Sequence, residues 1–314
     1  MTPRLLAIGL TTLDIVGRPI DEIPKGGGTK LIDAIAVVPA GTAGGMALVA
    51  AKLGLPTVIA SAVGDDGAGR FLRQEFARYG IDTRLLRQMS GRPTSTTILA
   101  IRSDGERPNF HALGASLFAE AEAETMKAAC AAKFVHYAGV GGVKLKGGPG
   151  AALVAAAKAA GVTVTCDLIG PNARTMAELE TVLPYVDYFM PNVDEAFFLT
   201  GVQNPRAAAE RFFRMGAKTC IFKWGARGAY VATRSEEHQL PAHKIDVVDT
   251  TSCGDSYCAG FVAALDRGMD VLDACRFAGA TAALVAQAPG TLGALVDFET
   301  TLRYQHETPL RDEA

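Results

Sequence analysis

Between residues 133 and 223 the chain alternates short apolar, β-branched runs with longer helical patterns. Strand and helix candidates follow one another at 133–137, 149–160, 162–166, 175–183, 185–190, 204–215 and 218–223. When a helix separates two strands of one sheet, the strands usually run parallel, because the helix returns the chain to the starting edge. The alternation therefore predicts an α/β fold, with a mostly parallel central sheet and helices on both faces.

The flanking regions add further elements to this core. Four segments before it and three after it carry recognisable patterns. They predict strands at 5–8 and 57–62, helices at 43–53, 67–79, 254–267 and 270–286, and a hairpin at 228–247. The charged tail from Tyr304 is expected to be frayed.

Two segments interrupt this regularity. Residues 11–38 and 95–111 contain β-branched stretches around glycine turns, which predict exposed strands outside the central sheet. We expect them to form a small β-strand lid on a single domain that spans residues 1–314.

Composition excludes several classes of function. The formal net charge of the 314 residues is −2, which argues against nucleic acid or an anionic membrane as the main partner. The sequence has no run of about 18 apolar residues, so it predicts no membrane-spanning helix. The six cysteines form no Cys-x-x-Cys pair, and the first apolar run is too short for a signal peptide. These features predict a cytoplasmic protein.

The segment from Asp249 to Phe261 carries the strongest chemical signal. Small residues at 251–254 precede an apolar helix, whose N-terminus would present free N–H groups to an anion. Asp255 lies in the first turn, where a carboxylate could accept a proton from a substrate hydroxyl. The alternative is that Asp255 or Ser252 only caps the helix.

This segment, Asp-Thr-Thr-Ser-Cys-Gly-Asp-Ser-Tyr-Cys-Ala-Gly-Phe, resembles the second signature of the ribokinase-like (PfkB) carbohydrate kinases, usually D-T-T-G-A-G-D-x-F-x-A-G-F. The resemblance covers nearly the whole chain and implies a ribokinase-like three-layer sandwich. It implies that Asp255 is the general base, and that the backbone N–H groups of Ser252, Cys253 and Gly254 stabilise the transferring phosphoryl group. Ser252 and Cys253 replace Gly and Ala, so we expect their backbone rather than their side chains to act.

The resemblance also implies a monovalent-cation site, for which K⁺ is the candidate ion. Asp249 and the carbonyl of Thr251 would belong to it. The carbonyls of Val285, Ala288 and Gly290 would complete it.

Other positions resemble the acceptor site of the family. Asp14 matches an early Asp that binds sugar hydroxyls, and Gly139 lies in a segment similar to H-x-S-G-I. Gly41, Thr42 and Gly44 match a glycine-rich helix start, although Gly45 replaces the Asn of that pattern.

Charged residues of the predicted lid favour an anionic acceptor such as a sugar acid, unless they are ordinary surface charges. They are Lys30, Arg102 and Arg107. Arg107 and His111 share strand parity, so both are expected to face the acceptor.

The nucleotide side is identified by three shorter motifs. Asn192-x-x-Glu195 resembles the family motif that organises Mg²⁺ and phosphate through water, and it also fits a helix capping box. Lys223, Gly225 and Gly228 match a nucleotide loop, and Gly279 lies where the family commonly has Asn beside adenine.

Together these residues predict a kinase that uses ATP and Mg²⁺ to phosphorylate a hydroxyl, in particular a primary one, of a sugar or sugar acid. A nucleoside kinase of the same family is one alternative, with Phe110 as the lid aromatic available to a base. A non-catalytic sugar- or nucleotide-binding regulator is another, although it would be expected to lack Asp255 or Gly254. Exposed lid edges predict a homodimer.

Overall fold

The computed structural model describes residues 3–311. In this range the chain forms the strands β1 (Leu5–Gly9), β2 (Thr12–Arg18), β3 (Ala34–Ala40), β4 (Thr57–Gly64), β5 (Leu86–Met89), β6 (Thr96–Ala100), β7 (Asn109–Ala112), β8 (Phe134–Ala138), β9 (Thr163–Cys166), β10 (Tyr188–Phe189), β11 (Thr219–Lys223), β12 (Ala229–Ala232) and β13 (Glu237–Leu240). The helices are α1 (Thr42–Lys52), α2 (Gly67–Arg78), α3 (Ala123–Ala131), α4 (Pro149–Ala159), α5 (Thr175–Val182), α6 (Val193–Thr200), α7 (Pro205–Arg214), α8 (Cys253–Asp266), α9 (Val271–Val285) and α10 (Phe298–Glu307).

Nine strands form the central sheet in the order β13–β12–β11–β10–β9–β8–β1–β4–β5. All pairs from β11 to β5 are parallel, and β12 and β13 add an antiparallel hairpin at one edge. β1 is buried throughout: Leu5 and Ala7 belong to one core, Leu6 and Ile8 to the other. Because side chains alternate across a strand, the sheet is covered on both faces. The predicted α/β fold is confirmed.

Helices cover the two faces of this sheet. On the face of Leu5, the apolar sides of α1, α8 and α9 supply Met46, Phe261 and Phe277 to one core. On the other face α4, α5 and α7 bury their apolar sides, including Phe212 of α7. The result is the predicted three-layer sandwich.

Four strands form a second sheet in the order β3–β2–β6–β7, which we call the lid. Asp14, Thr97 and His111 are in register on three of its four strands, β2, β6 and β7, and all three line a cleft. The next residues along β6 and β7, Ile98 and Phe110, are paired on the opposite face and are 48% and 61% exposed. We call that side the outer face of the lid.

The C-terminal tail differs from its prediction. Rather than fraying at Tyr304, α10 continues to Glu307, and Leu310 then forms a β-bridge with His243. Asp297 caps the start of α10, where its carboxylate accepts the N–H of Thr300 at 2.7 Å. The tail is ordered because caps and backbone pairing anchor it, which its local charge did not reveal. The short elements β5 and α3 were also not predicted.

Within residues 3–311 no helix has both the length and the apolar character needed to cross a bilayer.

Candidate active site

A cleft of about 950 Å³ lies between the lid, the carboxyl ends of the central strands and the N-terminus of α8. Ligands commonly bind at this edge of a parallel sheet, because the connecting loops there are free to carry functional groups. Side chains from the lid line one end of the cleft. Residues that follow β9, the end of β11 and the C-terminal tail line the other end, so two ligands could bind side by side.

Ser252 and the first turn of α8 form the middle of the cleft wall. Ser252 is the N-cap residue, and Asp255 follows in the first turn. N–H groups of a first helical turn lack partners inside the helix and carry partial positive charge, so they suit an anion. The Cys253 N–H makes only a long bond of 3.4 Å to the Thr250 carbonyl.

The side chain of Cys253 faces away from this anion site. Its thiol contacts the carbonyl oxygens of Asp249 and Ala282 at 3.9 and 3.7 Å. Burial raises the pKa of the Cys253 thiol to about 12, so it stays protonated near neutral pH. Only the backbone of Cys253 is available for chemistry.

Asp255 has the ionisation behaviour of a catalytic base. Burial raises the pKa of Asp255 to about 8, the charge of Asp167 adds to the rise, and Lys223 opposes it. A base acts best when its pKa lies near the operating pH, because it then exists as the carboxylate yet still holds a proton well.

The sequence motifs did not identify Asp167 as a site residue. Asp167 follows β9 and is buried, and one of its carboxylate oxygens forms an ion pair with Lys223 at the end of β11. The same oxygen accepts a hydrogen bond from the Cys258 thiol of α8 at 3.3 Å. Burial alone would lower the pKa of Lys223, but the surrounding charges, chiefly Asp167, raise it above its ordinary value. Lys223 is therefore a fixed cation.

Lys223 lies directly beside the proposed anion site. A Cβ added to Gly254 would stand 3.3 Å from the Lys223 amine, so glycine at 254 permits this close approach. The amine and the first turn of α8 thus place positive charge around the same space.

Asn192 and Glu195 form the capping box of α6. The Asn192 side chain accepts the N–H of Glu195 at 2.8 Å, and Glu195 accepts the N–H of Asn192 at 3.0 Å. Both residues also line the cleft, so capping does not exclude ligand contact. Burial and the charge of Asp167 raise the pKa of Glu195, while Lys223 opposes the rise.

The lid end of the cleft, which is predicted to bind the acceptor, is polar. Asp14 is buried and accepts a hydrogen bond from Thr12 at 2.8 Å, and His111 pairs with Thr97 at 3.0 Å. Burial raises the pKa of Asp14, although hydrogen bonds from Thr12 and Thr97 oppose the rise. Arg107 also lines the cleft, and its charge lowers the pKa of Asp255.

The glycine-rich helix start reaches the cleft only in part. Gly41 (φ 91°) and Thr42 line it, whereas the N–H of Gly44 donates to the Leu10 carbonyl at 3.1 Å below the cleft wall. Gly139 is likewise buried in a tight turn, where an added Cβ would meet Leu145 at 2.5 Å. The structure therefore brings neither Gly44 nor Gly139 to the cleft surface.

The end of the cleft away from the lid, which is predicted to bind the nucleotide, contains Lys223, Gly225, Gly228 and Gly279. Gly228 is required by packing, since a Cβ there would lie 1.9 Å from the Leu240 carbonyl. An added Cβ on Gly279 would meet nothing within 4 Å, so this glycine leaves open space. Sequence reasoning missed the rest of this wall, which comes from the ordered tail and its neighbours: His243, Val247, Ala283, Gln305 and Thr308.

The predicted cation residues lie in loops beside α8. The carboxylate of Asp249 accepts the N–H of Thr251 and the N–H of Gly290, each at 2.8 Å. These bonds hold the two loops together. Val285 is the last residue of α9, and Ala288 lies in the connection that follows it. Of the predicted cation residues only Thr251 lines the cleft, and Asp249, Val285, Ala288 and Gly290 do not.

The sequence matches the pfkB family of carbohydrate kinases over residues 2–297. The chain belongs to this family. Among its relatives, ribokinase of Staphylococcus aureus is 26% identical over 302 residues, covering 92% of this chain and 95% of the relative. The 2-dehydro-3-deoxygluconokinase of Bacillus subtilis is 28% identical over 281 residues, covering 82% and 83%.

Arabidopsis thaliana ribokinase, solved with ribose and ATP, superimposes with a TM-score of 0.79 at 25% identity, covering 97% of this chain and 99% of that one. This carbohydrate kinase thus has the ribokinase-like fold. The chain is an ATP-dependent sugar or nucleoside kinase of the family, and the cleft is its candidate active site.

Proposed function

We propose that this carbohydrate kinase transfers the γ-phosphoryl group of ATP to a hydroxyl, in particular a primary one, of a sugar or sugar acid. The observation that carries the proposal is Asp255. It lies in the first turn of α8, between the acceptor end and the nucleotide end of the cleft, and its pKa is raised to about 8.

Asp255 takes the proton of the acceptor hydroxyl as the oxygen forms a bond to the γ-phosphorus. The bond from that phosphorus to the bridging oxygen breaks, and ADP leaves with the electron pair. Charge on the transferring group is stabilised by the backbone N–H groups of Ser252, Cys253 and Gly254 and by Lys223. Closure of the lid excludes water, which would otherwise compete as acceptor.

The residues present fit a magnesium ion that enters with the nucleotide. The negative charge of Asp167 raises the pKa of both Glu195 and Asp255, and a bound cation would relieve this repulsion. Within residues 3–311 no three His, Cys, Asp or Glu side chains form a ready metal site. We therefore propose that Asn192 and Glu195 hold Mg²⁺ through water, as Mg²⁺ commonly keeps several waters. When bound, Mg²⁺ would neutralise phosphate charge.

A monovalent cation, K⁺ for preference, is proposed for the loops at 249–251 and 285–290. Asp249 already joins these loops through its two bonds to backbone N–H groups. Carbonyls of Thr251, Val285, Ala288 and Gly290 would supply its remaining oxygens.

We infer an acidic acceptor from the lid. His111 lines the cleft in line with Asp14 across the lid strands, and Arg107 lines it close enough to Asp255 for its charge to lower the pKa of that residue. Among the ion pairs within residues 3–311, none joins Arg107 to a carboxylate, whereas Arg102 pairs with Glu106. A guanidinium without a protein partner is suited to a substrate carboxylate, which it can bind with two hydrogen bonds. The relative from Bacillus subtilis, 2-dehydro-3-deoxygluconokinase, has a name consistent with a sugar acid.

The alternatives are less well supported. A nucleoside needs an apolar slot for its base, but Phe110 lies on the outer face of the lid and does not line the cleft. A non-catalytic regulator would not need a proton acceptor, whereas Asp255, with its raised pKa, is suited to that role.

We further propose that two copies pair through the outer faces of their lids. Four apolar side chains there are partly or largely exposed, namely Ile35, Val37, Ile98 and Phe110. They span β3, β6 and β7, so the face is apolar from edge to edge. A second copy offers the same apolar strip, and a twofold axis would bury both strips together. The proposed location is the cytoplasm, with neither nucleic acid nor membrane as partner.

One screen tests the reaction. ADP release is measured with Mg²⁺ and ATP against 2-dehydro-3-deoxygluconate, gluconate, ribose, fructose and adenosine, in K⁺ and in Na⁺. A sugar acid should give the highest kcat/KM, and K⁺ should give the faster rate. The highest kcat/KM with adenosine would favour the nucleoside alternative, and equal rates in the two salts would remove the K⁺ site.

A further inference from the structure

Ser252 has an unfavourable backbone conformation. Among residues 3–311 it is the only residue other than glycine with a positive φ, at φ 56° and ψ 8°. A side chain in the left-handed region crowds the backbone, so glycine is the favoured residue there. Strain of this kind persists where the surrounding structure enforces it, and it is concentrated at active sites and ligand-binding sites.

Helix α8 does not require the side chain of Ser252. Asn192 and Asp270 cap α6 and α9 through their side chains, but Ser252 makes no side-chain capping bond to α8. Its carbonyl accepts the N–H of Ser256 at 2.8 Å, a bond that a glycine would make equally well. The hydroxyl thus gives the helix no capping bond.

The hydroxyl lies close to the proposed base. Ser252 Oγ is 3.3 Å from the point that a Cβ on Gly45 would occupy, and Asp255 Oδ2 is 3.0 Å from the same point. A side chain at 45 would crowd both oxygens. Glycine at 45 leaves them facing one small space, and both Ser252 and Asp255 line the cleft.

We propose that Ser252 Oγ hydrogen bonds the acceptor substrate next to the hydroxyl that Asp255 deprotonates. This inference rests on the proposed function and adds a specificity-determining side chain to it. A hydroxyl can both donate and accept, which suits a neighbouring hydroxyl of a polyol. The strained backbone at 252 is retained because it directs this side chain into the cleft.

Two variants separate the hydroxyl from the strain. Ser252→Ala removes the hydroxyl and keeps the crowded Cβ, whereas Ser252→Gly removes both. With 2-dehydro-3-deoxygluconate and with ribose as probes, both variants should lose about threefold to tenfold in kcat/KM for the acceptor, mostly through KM, as expected for one neutral hydrogen bond. KM for ATP should not change.

Stability and a matched serine serve as controls. Ser252→Gly should unfold at a temperature no lower than wild type, because the left-handed conformation suits glycine. Ser256→Ala, on the same helix but outside the cleft lining, should leave the acceptor KM unchanged.

The outcomes are distinct. Wild-type acceptor KM in Ser252→Gly, or a change in the KM of ATP alone, would overturn the proposal. Calorimetric binding of the same two acceptors without ATP reports the Ser252 contact independently of turnover. If Asp255 is not the general base, the variant Asp255→Asn should instead keep normal turnover.

Discussion

The floor of the cleft and the lid are built in different ways. On the floor, Asp167, Lys223 and Cys258 join β9, β11 and α8 through buried polar contacts beside Asp255. The lid is a four-stranded sheet whose cleft side is polar and whose outer face leaves Ile98 and Phe110 exposed. A floor that cannot move without breaking an ion pair can hold a base and an anion site precisely. In the proposed function the lid selects the acceptor, and its outer face pairs two copies.

The largest effect is expected on the floor. Asp255→Asn removes the proposed base but keeps the shape of the side chain, so kcat should fall about 10²- to 10⁴-fold. ATP binding, measured by calorimetry, should persist, because the base contacts the acceptor hydroxyl. Asp194→Asn is a matched control, since Asp194 is an exposed carboxylate in the first turn of α6. Turnover near wild type in Asp255→Asn would disprove its role.

The pH dependence of kcat/KM tests how the floor tunes this base. Asp255 must be deprotonated to accept a proton, so kcat/KM should rise with pH and level off above about 8, falling roughly tenfold per pH unit below that. Asp167→Asn removes a negative charge that raises the pKa of Asp255. It also frees Lys223 from its ion pair, and the positive charge of Lys223 lowers the pKa of Asp255. The midpoint of the profile should therefore move to lower pH, together with a lower maximal rate.

The exposed residue Asp65 provides the control for this profile. Asp65→Asn should leave the midpoint in place. A midpoint that stays near 8 in Asp167→Asn would show that Asp167 does not act on the base.

The lid should affect the choice of acceptor rather than the chemistry. Arg107→Gln is expected to raise KM for an acidic acceptor about tenfold, the loss of one charge-assisted contact, and to leave kcat and KM for a neutral sugar nearly unchanged. Arg102→Gln is the matched control, because Arg102 is a lid residue whose guanidinium pairs with Glu106 at 3.0 Å. An equal loss with neutral and acidic sugars would show that Arg107 supports the lid and not the carboxylate.

The sequence predicted the features that follow from local patterns, and it missed those that depend on contacts between distant residues. The alternation of strands with helices predicted the sheet. Arg107 and His111 were expected to share one strand, but β7 begins at Asn109, so Arg107 precedes it, although both residues line the cleft. The pairing of Asp167 with Lys223 could not be predicted from local pattern, since it depends on two strand ends, 56 residues apart, meeting at one edge. The wall formed by the tail was missed because the β-bridge between Leu310 and His243 joins segments that are far apart in the sequence.

The smallest effect on turnover, and the sharpest on assembly, is expected at the outer face of the lid. Phe110→Ser removes a large exposed side chain from the proposed interface, so the dimer should dissociate at protein concentrations where the wild type stays paired, as measured by sedimentation. Activity above the dissociation range should be retained, because His111, the neighbouring residue on β7, still faces the cleft. Phe198→Ser, at an exposed phenylalanine of α6, is the matched control and should not change the mass. If the wild type sediments as a monomer at assay concentrations, the proposed dimer through the outer face is disproved.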